Sequence, residues 1–170
     1  EAIAALEKTF GALPPRQPVP VVAGPSTVRF PAPNSEPVVV RHEGAPDQAA
    51  AFIGWPTGGG LEGVQESRQL EILTAIFNSR LFDQLRAQAG ASYAPQVVNN
   101  WPIAFDQGGY IGVIGQLAPE NVAKFFEIAN TIAADLAAKP VDADELARAT
   151  EPLRQLVSRA STGNNFWLNQ

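Results

Sequence analysis

The chain contains no cysteine, no methionine and a single histidine, His42. Without cysteine it has no disulfides, no thiolate zinc site and no cysteine nucleophile, and the redox compartment stays open between periplasm and cytoplasm. Without methionine it has no initiator residue, which reads as a segment cut or processed from a longer chain. No apolar run approaches the roughly 20 residues that span a bilayer, and Glu1 opens no charged-then-apolar leader. Basic charge is also scarce: 12 Lys and Arg stand against 17 Asp and Glu, a net charge of −5. That excludes the cationic footprint with which nucleic-acid binders neutralise phosphates. What is abundant is apolar: 45% of the 170 residues, enough to bury one real core.

The pattern along the chain divides it into residues 1–37, an N-terminal helix and proline-rich linker, and residues 38–170, an α+β domain. EAIAALEKTF places Ile3, Leu6 and Phe10 at helical spacing before Gly11. Residues 13–37 hold more than half of the chain's 15 prolines, which forbids a long helix or a central strand. VVVRH (38–42) and AAAFIGWP (49–56) read as two strands joined through Gly44, Pro46 and Asp47, a hairpin or neighbouring pair. From Glu62 to Gln88, Leu70, Leu73, Phe77, Leu81 and Leu85 recur every three to four residues, widened by Ile72 and Ile76, and predict a long helix set deep against a sheet. SYAPQVVNN and GGYIGVIGQLA supply two more strands, paired antiparallel. Pro119 opens a helix reaching about Lys139 with Val122, Phe125, Phe126, Ala129 and Ile132 on one face. Asp142, with Glu145 three residues on, has capping-box spacing for a last helix, in which Pro152 predicts a break or kink. The order implies an α+β layer: an antiparallel sheet with helices packed on one face.

Catalytic chemistry within these residues is hard to assemble. A catalytic zinc centre takes three protein ligands, commonly two histidines and a carboxylate, and His42 has no second histidine. It reads as an exposed or hydrogen-bonded strand-end residue. No G-x-S-x-G turn presents a serine to it. Gly58, Gly59 and Gly60 lack the lysine and serine or threonine of a phosphate loop and read as a flexible loop.

One stretch remains, LFDQLRAQAGASYAP (81–95). A cation on the last helical turn complements the helix macrodipole, Gly90 ends the helix in a left-handed conformation, and Tyr93 begins a strand with its ring on the core. By spacing alone, Arg86 and Tyr93 are either such a helix end or two contacts of a binding site.

The segment SRLFDQLRAQAGASYAPQV, preceded by LEILTAIFN, resembles the signature of the non-metal-binding, C-terminal-type domain of the pitrilysin/insulinase family of zinc metallopeptidases. ALEKTFGALPPR is similar to the family's interdomain entry, VVVRHEGAPDQAAAFIGWP to its first strand pair, and LARATEPLRQLVSRASTGNNFWLNQ to its late helices. The resemblance implies a processing-peptidase-like α/β roll and an enzyme in which two similar domains face each other. One carries an inverted H-x-x-E-H zinc motif, and the other an arginine and a tyrosine seven residues apart that reach the bound peptide near the scissile bond. Arg86 and Tyr93 match those types and that spacing. The zinc motif is absent here, so the resemblance implies a substrate-binding role for Arg86 and Tyr93. It implies no cofactor in this segment, and zinc in a partner domain of the same chain or a partner subunit. The apolar end, Phe166, Trp167 and Leu168, falls where family members continue, which implies a fragment. Two other roles fit the same residues: a non-catalytic assembly or scaffold subunit, and a peptide-binding module. An H-x-x-E-H in the adjoining N-terminal region separates the enzyme from both.

Overall fold

A computed structural model describes residues 1–17, 30–87 and 95–168. Its centre is a three-stranded antiparallel sheet made of β1 (Ala49–Gly58), β2 (Gln96–Asn100) and β3 (Gln107–Leu117), in the order β1-β3-β2. β3 lies between the others, pairing Ile53 with Val113 on one side and Val97 with Val113 on the other. Because successive strand residues point to opposite faces, Ala51, Ile53 and Trp55 share a face with Ile111, Val113 and Leu117, and with Val97 of β2.

That face is the core. Against it lie α2 (Val64–Ala87), through Phe77 and Leu81, and α3 (Val122–Ala138), through Phe125, Ile128, Ala129 and Ile132. Leu81 and Val113 are fully buried, and the Trp55 and Phe77 rings sit 5.7 Å apart. The long helical stripe is therefore real, although Leu73 is only half-buried where Phe77 and Leu81 are closed off. The opposite sheet face carries Phe52, Val98 and Ile114, all exposed. An antiparallel sheet covered on one side by helices is the α+β class expected from the order of elements.

Around this centre, α1 (Ala2–Lys8) is a short helix with Ile3 and Leu6 exposed. A 3₁₀ turn over Pro119–Asn121 leads into α3 with proline at its start, where a missing N–H costs nothing. α4 (Ala143–Ala160) begins at Asp142, whose side chain accepts from the Glu145 amide at 2.9 Å, and α5 (Asn164–Leu168) follows. Among the described residues no helix is long and apolar enough to cross a membrane.

Three local expectations fail. VVVRH is not a strand: Val38, Val39 and Val40 are 79–83% exposed, and β1 pairs with β3 instead. β-branched composition favours an extended backbone but does not provide the partner whose N–H and C=O complete a ladder. Of the break or kink expected at Pro152, the break is absent, and α4 continues from Ala143 to Ala160. The residue is exposed, so the carbonyl it leaves without a helical partner can turn to water. The glycine loop, finally, is pinned. Trp101 Nε1 donates to the Gly60 carbonyl at 2.9 Å, the Gly60 amide donates to Pro102, and Gly60 holds a positive φ of 80° that suits a residue without Cβ. The Trp101 ring lies so close to Gly63 that a side chain there would displace it.

Candidate functional site

The site expected from the sequence sits at the C-terminal end of α2. Arg86 belongs to the last turn of that helix, while its side chain, Gly90 and Tyr93 lie outside the described residues. What the structure describes is the framework on either side of them.

On the helix side, three tethers fix α2. Asn99 Nδ2 donates to the Ser67 carbonyl at 3.1 Å, tying its first turns to β2. Phe77 and Leu81 fix its middle in the core. Six residues before Arg86, Arg80 closes an ion cluster across three helices. Its Nε and Nη2 donate to Glu145 Oε1 and Oε2 of α4 at 2.7 Å each, and its Nη1 donates to Asp135 Oδ2 of α3 at 2.7 Å. Lys139 Nζ meets the other Asp135 oxygen, also at 2.7 Å. On the strand side, Pro95 is buried and Gln96 pairs with Ile114, so β2 enters the sheet in fixed register three residues after Tyr93. The segment holding Tyr93 is thus bracketed by two anchored elements.

Local chemistry explains why Arg80 captures Glu145. The capping-box spacing from Asp142 to Glu145 is half realised: Asp142 caps the helix, but the Glu145 carboxylate turns away to the guanidinium. A planar guanidinium offers two parallel N–H bonds to a carboxylate, stronger than a single bond to an exposed amide. The pairing raises the Arg80 pKa, first through the Glu145 hydrogen bonds. It holds the Glu145 carboxyl below its usual range, and Asp135 is lowered by its bond to Lys139 and then by Arg80.

The sequence reading missed this cluster, because Arg80 and Glu145 are 65 positions apart and share no local pattern. The available signal was Arg80 itself, a cation three residues after Phe77 and next to Leu81, on a stripe that otherwise faces the core. Arg80→Ala is expected to cost about 1–3 kcal/mol, between an exposed pair and a buried one, since the Arg80 side chain is 23% exposed. The sign with pH follows from the depressed carboxyls. Their contribution is fully present above the unfolded carboxylate pKa of about 4 and is lost as pH falls through the lower folded values. Denaturant titrations should therefore separate wild type from Glu145→Gln at neutral pH and bring them together in acid.

His42 is exposed in the irregular segment before β1. Its Nδ1 accepts from the Gly44 amide at 2.8 Å and its Nε2 donates to the Gln48 carbonyl at 3.1 Å, so both ring nitrogens are engaged in the turn. It is hydrogen-bonded, as expected, though in a bend rather than at a strand end. Among the described residues no group of three or more His, Cys, Asp or Glu side chains could hold a metal ion. With both nitrogens engaged and no cysteine anywhere, these residues do not fit a zinc site.

Comparison with known proteins gives one family. Residues 1–153 match the family model of the peptidase M16 inactive domain. No curated protein and no solved structure matches the chain.

Proposed function

This chain belongs to the peptidase M16 inactive-domain family, the C-terminal type of the pitrilysin/insulinase group, and on that premise we propose that it holds the peptide while a partner domain activates water. The observation carrying this reading is the family match over residues 1–153, a span that includes both Arg86 and Tyr93.

In this reading Arg86 and Tyr93 contact the substrate near the bond to be cleaved. Attack on a peptide carbonyl builds negative charge on its oxygen, and preorganised donors aimed at that charge lower the barrier. A guanidinium supplies up to five N–H donors and a fixed positive charge, and a phenol supplies one O–H. Neither group makes a nucleophile of water at neutral pH, so neither replaces the zinc expected in the partner domain. The anchoring of α2 by Arg80 and of β2 by its register supports the reading, because a donor must be held in place to act on a transition state. Among the described residues β2 pairs with β3 alone, and its other edge starts three residues after Tyr93. An extended peptide laid along it would gain main-chain hydrogen bonds that depend on shape more than on side-chain identity.

The test is a division of labour. Dialysed residues 1–170 should carry no stoichiometric zinc and cleave no peptide, while the full-length protein should carry one zinc and cleave. One tightly held zinc per isolated chain would overturn the reading. A full-length protein that binds peptide with Arg86 and Tyr93 intact but never cleaves it would make the chain a binding module.

A further inference from the structure

Of the charged side chains described on α2, Glu66, Arg68, Glu71 and Asp83 are exposed and Arg80 alone is half-buried. Its guanidinium gives three hydrogen bonds to two other helices, two to Glu145 of α4 and one to Asp135 of α3, all at 2.7 Å. A half-buried charge loses hydration that its partners only partly restore, so such a cluster stabilises less than its bonds suggest. What a planar fork of directional bonds adds is arrangement.

That arrangement bears on Arg86. Phe77, Leu81 and Leu85 hold α2 against the core, but apolar burial is non-directional and fixes the depth of a helix more firmly than its rotation about its own axis. A guanidinium held by α3 and α4 together opposes that rotation. Arg86 stands six residues further on, about 9 Å along the axis and about 120° around it. A small roll of α2 therefore moves the point from which the Arg86 side chain leaves the helix. Misplacing a catalytic group by about 1 Å can cost about 100-fold in rate.

We propose that Arg80 is a positioning residue for Arg86: by clamping α2 to Glu145 and Asp135 it sets the rotation of the helix, and with it the place from which Arg86 meets the peptide. The inference rests on the substrate role proposed for Arg86. Arg80 itself touches no substrate and acts only through the helix that both residues share.

The test is a pair of kinetic cycles in the full-length protein, run well below the melting temperature of every variant so that all are folded. Arg80→Lys keeps the charge but cannot make the two-pronged bond to Glu145. This variant and Glu145→Gln should each lower kcat about fivefold or more, with KM and zinc content within about twofold of wild type, since a misplaced transition-state donor leaves ground-state binding intact. In the Arg86→Ala background, either substitution should change kcat by less than about twofold, because the residue through which it acts is already gone. A role in stability alone would leave kcat untouched in both backgrounds at this temperature, and a general distortion would lower it equally in both. Either result overturns the proposal while leaving the substrate role of Arg86 standing. A full-length protein that does not cleave, or whose Arg86→Ala variant turns over like wild type, overturns the substrate role first and this inference with it.

Discussion

Replacing Phe77 by alanine is expected to destabilise the chain by about 3–5 kcal/mol, the usual cost of emptying an aromatic site in a close-packed core. Phe77 is 3% exposed, lies against the Trp55 ring of β1 and belongs to the cluster that also holds Leu81, Val113 and Phe125. Its neighbours come from α2, α3, β1 and β3, so no single side chain can collapse into the space. Against the roughly 5–15 kcal/mol that hold a domain together, the loss is a large fraction. A urea titration should show a lower midpoint with an unchanged slope. Leu73→Ala, at a half-buried position on the same helix, should cost less. A loss below about 1 kcal/mol at Phe77 would mean that α2 does not close this core.

The second large effect is kinetic. On the proposed function, Arg86→Ala in the full-length protein is expected to lower kcat/KM by about 100- to 1000-fold, the range found when one oxyanion donor is removed. Zinc content and melting temperature should stay near wild type, because a contact made in the transition state can be lost without touching metal or core. The contrast with Arg80 is informative. Arg80→Ala should lower stability first, since its partners are Glu145 and Asp135, whereas Arg86→Ala should lower turnover first.

Much of the fold was legible because it is dictated locally. Leu70, Phe77, Leu81 and Leu85 repeat with the helical period because one face of α2 must be buried, and Asp142 announces the start of α4 because the amides of a first turn need an acceptor. The alternation in β3 likewise separates Val113 and Leu117 in the core from Ile114 outside. The rest depends on partners far away in sequence. Val38–Val40 carry strand-forming side chains but find no ladder, Glu145 has the spacing of a capping box but is claimed by Arg80, and Trp101 pins a glycine loop that reads as free. Arg86 and Tyr93 could be read locally as a helix end or as a site; only family resemblance chose between the two, and the family match establishes the domain, not the pair.

Tyr93→Phe in the full-length protein is the most direct test of the proposed function, because it deletes one hydroxyl and keeps the ring. A role in packing predicts almost no change in turnover, and a role as donor to the peptide predicts a large one. The account expects kcat/KM to fall by about 100-fold or more with the melting temperature and zinc content unchanged. Wild-type turnover by Tyr93→Phe would contradict it, leaving Tyr93 a structural residue and the proposed substrate pair without its phenol.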